Sequence, residues 1–242
     1  MRPNVFWAVF VGVVLNGPFD LPAQDTDAVT RRIRGGVIAE RARENAPYSS
    51  ATRGELVIRR GRQGRDRLPM ESWTLVAPQV TTWTNYFAAQ LEDGVERLRI
   101  IREPQGNRYE RLSVDDEAET VTATPVEPST AFAASDFLLG DLGFEFLYYD
   151  DHILVGEQVR KTRNCYILDC LNSEPEDLYR RVKVWIEKDT LLPLRAEAYD
   201  SDGKKWKVFS IGGLKKEDGA WRVTELEMEN YRTNSNTRIL LD

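Results

Sequence analysis

Histidine occurs once in the 242 residues, at His152, and cysteine twice, at Cys165 and Cys170. A single imidazole excludes metal centres built from several histidines and leaves little for histidine-based acid–base catalysis. Asp150 and Asp151 adjoin His152, but neighbouring residues of a turn rarely converge on one ion, so a solvated turn is expected there. A basic excess is missing too: 33 Lys+Arg stand against 39 Asp+Glu, a formal net charge of −6, which argues against a nucleic-acid binder. The chain also lacks a phosphate-cradling glycine loop, a nucleophile elbow and a zinc-protease helix.

Two near-matches to functional motifs have plainer explanations. Asp200-Ser201-Asp202-Gly203 resembles the middle of a calcium loop. With Gly203 at the invariant glycine, Ala198 falls at the first ligand position and Phe209 at the twelfth, and neither can bind the ion. A hairpin turn accounts for the stretch better. Glu227 and Glu229 alternate with Leu226 and Met228, as carboxylates do on the wet face of a strand. The expectation is therefore a protein that binds rather than catalyses, without cofactor or metal.

The cysteines lie in "NCYILDC", which reads as a strand. Five extended residues span roughly 16 Å, far beyond disulfide reach, and odd spacing sends the side chains to opposite faces. Two free thiols are expected, at least one of them buried.

Long apolar runs are absent except at the start. "MRPNVFWAVFVGVVLNGPFDLPAQD" has a positive residue at Arg2, an apolar run to Leu15, helix breakers at Gly17 and Pro18, and a small residue at Ala23. This is the layout of a cleavable secretory signal over residues 1–23, too short for a comfortable membrane span. Cleavage removes Arg2 and Asp20 together and leaves the charge at −6. An exported, soluble protein with one domain over residues 24–242 is expected.

What is present is mostly β pattern. Asp25 or Thr26 offers an N-cap for a helix with spacing through Val29, Ile33 and Val37, weakened at Gly35 and Gly36. Strand-like runs follow, with Leu56 and Ile58 on one face, broken at 61–64, Pro78, Asp93-Gly94 and Gln105-Gly106-Asn107. Residues 137–146 suit a short helix, with Phe137, Leu138, Leu142 and Phe146 near one face and Ser135 as its N-cap. Strands are then expected near 153–159, 165–171, 179–187, 192–199, 204–214, 221–230 and 237–241, joined by turn-forming combinations. A sheet so wide must curl.

In "VKVWIEKDTLLPLRAEAYDSDGKKWKVFSI", Val182, Val184 and Ile186 share a face with Leu192, Leu194, Ala196 and Ala198. Lys183, Glu187, Arg195 and Glu197 occupy the other face, suited to water and cross-strand pairing. The apolar face needs a cover, for which the N-terminal helix and 137–146 are the candidates. Both contain glycine and are short. An incomplete cover leaves a greasy cavity, whereas a complete one leaves a packed core with the alanines admitting a close helix.

The C-terminal half carries a resemblance. The Cys165-Tyr166 strand, Tyr179 ahead of "VWI", Leu192-Pro193-Leu194, Tyr199-Asp200, Gly203-Lys204, Trp221, and Met228 with Asn230 resemble the LolA-like outer-membrane lipoprotein-sorting proteins. "SDFLLGDL" is similar to the aromatic helix that precedes this region in them, and the resemblance covers residues 130–241. It implies an α+β fold, a strongly curved antiparallel β half-barrel whose apolar concave face is covered by a few short helices. It further implies a monomeric periplasmic carrier of acyl chains of lipoproteins or other lipids. An inner-membrane transporter and an outer-membrane acceptor would be its partners. The lining candidates are Trp73, Trp83, Phe137, Leu138, Leu142, Phe146, Val184, Ile186, Leu194, Ala196 and Ala198. An arginine in the N-terminal half governs lid opening in such carriers; it is left unassigned among the many present. The alternative of a different class is a lipoprotein-sensing or exporter-accessory interaction domain of the same shape, without carrier activity.

Overall fold

The computed structural model describes residues 23–45, 47, 49–61, 64–76, 82–115, 118–173, 178–217 and 220–242. Residues 1–22 of the signal expected over 1–23, the expected break at Pro78 and residues 218–219 of an expected turn lie outside the described residues. The chain opens with helix α1 (Ala23–Glu44). Six strands follow: β1 (Ser50–Arg60), β2 (Arg65–Val76), β3 (Trp83–Leu91), β4 (Gly94–Glu103), β5 (Gly106–Asp115) and β6 (Thr120–Pro125). After a connection containing the single helical turn α2 (Leu139–Leu142) come seven more: β7 (Asp151–Arg160), β8 (Arg163–Leu171), β9 (Arg181–Glu187), β10 (Pro193–Tyr199), β11 (Lys205–Glu217), β12 (Ala220–Asn230) and β13 (Ser235–Leu241). Among the described residues no helix is long and apolar enough to cross a membrane.

The thirteen strands of the described residues form one open antiparallel sheet, in the order β6-β5-β4-β3-β2-β1-β13-β12-β11-β10-β9-β8-β7. The chain makes two meanders, and its first and last strands pair in the middle of the sheet. The strand β6 before the helical connection is one edge, and the strand β7 after it is the other. Residues 126–150 therefore have to travel from edge to edge, and this topology is what brings the aromatic segment over the strands. Among the described residues, the turn at Asp200–Gly203 is as the sequence signals. Between β10 and β11, Asp200 Oδ1 accepts the N–H of Asp202 at 3.1 Å and of Lys204 at 2.9 Å, and Gly203 takes φ 74°.

One face, here called inner, carries an apolar row in strict register across eight strands: Leu154, Leu168, Val184, Ala196, Phe209, Met228, Thr237 and Ile58. Leu56 and Ile58 both point to it and are fully buried, as their spacing requires. Cys165 and Cys170 are free and both buried.

Several expectations need correction. Asp150–His152 is not a solvated turn: Asp151 and His152 begin β7, and His152 is buried where its ring meets the Phe146 carbonyl. Helix α1 runs unbroken through Gly35 and Gly36 and begins before Asp25. Its Val29, Ile33 and Val37 face solvent, while Gly35, Ile38 and Ala39 are buried. The reason is close approach: a Cβ on Gly35 would stand 2.2 Å from the backbone oxygen of His152, so the helix must seat its smallest residue on β7. The 137–146 helix shrinks to α2, flanked by 3-10 turns at Phe132–Ala134 and Glu145–Tyr148. Leu138, not Ser135, precedes α2, and Phe137 and Phe146 are outside it. Finally, Glu187 is 2% exposed rather than solvated. Its carboxylate folds back on the following turn, accepting from the backbone N–H of Asp189 and Thr190 and from the Thr190 hydroxyl. Burial pushes this carboxyl upward, but those donors outweigh it and its pKa lies below the ordinary glutamate value.

Candidate functional site: a clamped segment over the inner face

Two buried charges of the sheet hold residues 136–143. The first is Arg102 on β4, 8% exposed and on the same face as Leu98 and Ile100. Its Nη1 donates to the Gly143 carbonyl at 2.6 Å, its Nη2 to Leu142 at 2.8 Å, and its Nε to Asn85 Oδ1 at 2.9 Å. A one-turn helix leaves its last carbonyls without intrahelical partners, and the planar guanidinium satisfies two of them at once. The Phe144 ring lies 5.2 Å from the guanidinium carbon and the Trp83 ring 5.8 Å. Burial lowers the Arg102 pKa, while Tyr109, Tyr148 and Glu145 nearby act the other way; the group stays charged. Beside it, Glu145 accepts from Asn107 Nδ2 at 2.7 Å and from the Tyr109 hydroxyl. Gly143 is required here, since a Cβ would meet the Tyr109 hydroxyl at 2.3 Å.

The second is Lys207 on β11, 3% exposed. Its Nζ donates to the Asp136 carbonyl at 2.7 Å and lies 3.5 Å from Asp141 Oδ2. Asp141 also accepts the Tyr179 hydroxyl at 2.7 Å and the Leu138 N–H at 2.8 Å. The Asp136 carboxylate takes the Thr237 hydroxyl at 2.9 Å, Asn230 Nδ2 at 3.1 Å and the Ser235 hydroxyl. Burying Lys207 and Asp141 together contributes little net stability, because desolvation offsets most of their attraction. It does fix where the segment sits, since leaving either charge unpaired is costly.

Between these charges lies an apolar layer. Nine of the lining candidates, Phe137, Leu138, Leu142, Phe146, Val184, Ile186, Leu194, Ala196 and Ala198, join one buried cluster with Phe132, Tyr179, Phe209 and Met228. Trp83 is buried apart from that cluster, beneath Arg102. Trp73 is set apart: it stacks on Tyr86 at 5.0 Å, on the face opposite Met70. The space left beside Ala196 and Ala198 is about 10 Å³, bounded by Phe146, Tyr179, Phe209 and Met228 among others. That is room for about one water. The patch that is thin in sequence is filled by the crossing segment.

The sequence reading missed Arg102, Asp136, Asp141 and Lys207. A signal for two of them was available. Arg102 falls in step with Leu98 and Ile100, and Lys207 with Phe209 and Ile211. A charge at an inward position has to find a buried partner.

A family model described as "Uncharacterized protein" matches residues 106–242, more than half of the chain. A DUF1329 family protein from Desulfovibrio piger superposes with a TM-score of 0.68 at 21% identity, over 88% of this chain and 91% of that one. The chain belongs to the family whose model it matches. A putative outer membrane lipoprotein-sorting protein domain from Vibrio parahaemolyticus gives a TM-score of 0.68 at 17% identity, covering 87% of this chain and 91% of that chain. A LolA superfamily protein from Nitrosomonas europaea gives 0.57 at 14% identity, covering 86% and 91%. No curated protein matches the sequence. The LolA-like fold thus contains, in this chain, a crossing segment pinned by Arg102 and Lys207.

Proposed function

We propose that this chain is a periplasmic carrier that takes acyl chains of lipoproteins or other lipids between the inner face of its sheet and residues 132–149. Residues 24–242 form its single lipid-binding domain, exported by the signal at the N-terminus. The observation that carries this reading is the clamp. An apolar layer is closed by two sets of polar contacts to one short segment, at Leu142–Gly143 and at Asp136–Asp141. Releasing them uncovers Phe137, Leu138, Leu142 and Phe146 opposite Val184, Ala196 and Ala198.

A strongly curved sheet is supported by the reach of one ring. Phe144 lies 5.2 Å from the Arg102 guanidinium and 5.8 Å from the Phe209 ring. In a flat sheet their strands, six spacings apart in the strand order, would stand about 29 Å from each other. The half-barrel reading brings them face to face, with α1 and the crossing segment as its cover.

The energetics suit a carrier. Each methylene removed from water is worth ~0.8 kcal/mol, so a dozen stabilise the loaded state by roughly 10 kcal/mol over a chain in water. Charge-assisted hydrogen bonds such as those of Arg102 are worth about 1.5–3 kcal/mol each, a barrier that cargo can offset. Against a bilayer the chain gains almost nothing, so refilling of the interior by the segment drives release. Arg102 is then the arginine that governs opening. An inner-membrane donor and an outer-membrane acceptor would be the partners of a monomeric carrier.

The test is native mass spectrometry, with lipid extraction, of protein recovered from the periplasm of its own host. An acyl-chain species bound one to one supports the reading. No such species in either the wild type or Arg102→Met, whose clamp is loosened, would sink it and favour an interaction domain of the same fold.

A further inference from the structure

The outer face of the sheet holds an open groove of about 620 Å³ over β1, β2, β12 and β13, away from the acyl layer. Its floor is a row in register: Arg65 on β2, Arg59 on β1, Asn236 on β13 and Glu229 on β12. The adjacent row is Arg67, Val57, Arg238 and Glu227. Arg67 and Arg238 are neutralised, by Glu55 at 2.5 Å and Glu225 at 2.7 Å. Arg59 and Arg65 are not: directly opposed on neighbouring strands, their side chains make no hydrogen bond or ion pair with any described residue. Like charges facing each other on neighbouring strands are destabilising unless an anion lies between them.

The far side of the groove is the converse. Among the described residues, the Glu227 carboxylate accepts only from the neutral Asn236 amide at 2.8 Å, and that of Glu229 only from the neutral Tyr231 hydroxyl at 2.9 Å. Two uncompensated positive charges and two uncompensated negative ones thus flank β13. A simple anion would satisfy the arginines and be repelled by the glutamates. A group carrying both signs satisfies all four. Arg59 and Glu229 stand two strand spacings apart, about 9.6 Å between backbones, a span that a phosphate and an ammonium joined by two carbons fill when the long side chains meet them from either side of β13.

We propose that this groove binds a zwitterionic phosphate–ammonium group, with the phosphate on Arg59 and Arg65 and the ammonium towards Glu229 and Glu227. Guanidinium pairs suit phosphate oxygens, and the carboxylates call for an ammonium that still carries N–H donors. Two sources present this chemistry: the ethanolamine headgroup of a bilayer lipid, and soluble phosphoethanolamine. The site does not depend on the carrier reading, since it lies on the opposite face.

Calorimetric titration at constant ionic strength would use phosphoethanolamine and, separately, inorganic phosphate. Flotation would use phosphatidylcholine vesicles with and without phosphatidylethanolamine. Phosphoethanolamine is expected to bind more tightly than inorganic phosphate. Arg59→Gln and Arg65→Gln should each weaken it about tenfold or more, and Glu229→Gln should erase the preference. Unliganded Arg59→Gln should also melt slightly higher than the wild type, because the opposed charges are relieved. Flotation that requires phosphatidylethanolamine and both arginines assigns the lipid source; tight soluble binding without flotation assigns the free compound. Absence of phosphoethanolamine binding, or binding indifferent to both arginine substitutions, would overturn the site. Equal affinity for inorganic phosphate, with Glu229→Gln silent, would overturn its zwitterionic character.

Discussion

Arg102 and Phe209 belong to strands six places apart in the sheet, yet both touch the ring of Phe144. One side chain of the crossing segment therefore bridges the two meanders, which also join where β1 pairs with β13. The segment acts as a keystone: what loosens it loosens the contact between both halves, and what seats it closes the apolar layer.

Arg102→Met should unseat the segment without emptying the space beneath it. The substitution keeps an apolar stem but takes the donor from the Leu142 carbonyl and leaves the Gly143 carbonyl to Asn107 Nδ2 at 3.1 Å. A loss of about 3 kcal/mol is expected, from two charge-assisted bonds. Hydrogen exchange should show it as faster exchange of the amides of Gly143 and Phe144, with β9 and β10 unchanged. Arg102→Lys should recover only part of the loss, since an ammonium cannot hold both carbonyls in the fork geometry.

Ala196→Leu distinguishes a lipid layer from a permanently packed one. The residue stands in register between Val184 and Phe209, and only about 10 Å³ is free nearby. Overpacking should cost about 1–3 kcal/mol in thermal or denaturant unfolding. In a carrier the same substitution also reduces the acyl species recovered per protein. Stability loss with undiminished acyl recovery would place the chain elsewhere.

The strands were legible because most are long, alternate apolar with polar residues and end near glycine or Asp/Asn turns; β7 to β13 differ from expectation by a few residues at most. The crossing segment was less so. Its apolar residues fit a helix by spacing, but Gly140 packs against Pro128, and Phe144 adopts the left-handed conformation at φ 50°. Tertiary contacts, invisible in a local window, decide both. Helix α1 fails for a related reason: its apolar stripe is real, but Gly35 is what the backbone of β7 admits. Trp73 was grouped with the lining by residue type alone, whereas its register with Tyr86 puts it on the outer face. Partners across the sheet, such as Asp141 for Lys207, follow from topology rather than from sequence spacing.

Gly35 and Gly36 form a matched pair for testing how α1 is seated. Gly35→Ala drives a Cβ into the His152 carbonyl and within 2.9 Å of the Leu154 nitrogen, both backbone atoms that cannot rotate away. Displacement of the helix and a fall in melting temperature are expected. At Gly36 a Cβ meets nothing within 4 Å, so Gly36→Ala should raise stability by about 0.5–1 kcal/mol through helix propensity. Equal effects from the two would show that α1 does not rest on β7 through Gly35.

Acid should destabilise the protein in two separable steps. His152 is buried, with Nε2 3.1 Å from the Phe146 carbonyl. Burial lowers its pKa, an effect the Phe146 carbonyl and the acids beside it only partly oppose. The unfolded chain takes up this proton first, so stability is complete above the ordinary histidine value of about 6.5 and falls as pH drops below it. His152→Gln should flatten that step. The second step belongs to Glu197. Burial pushes its carboxyl up, but donors from Arg195, Tyr199 and Lys205 prevail and bring it down to about 2. Its contribution is full above the unfolded value and is lost as pH falls from about 4.5 towards 2. Glu197→Gln should remove the dependence in that lower window and leave the step near neutrality intact. Denaturant midpoints measured from pH 7.5 to 2.5 on the wild type and both variants would read the two contributions. A histidine variant that still loses stability between pH 7 and 5 would assign the upper step to other groups.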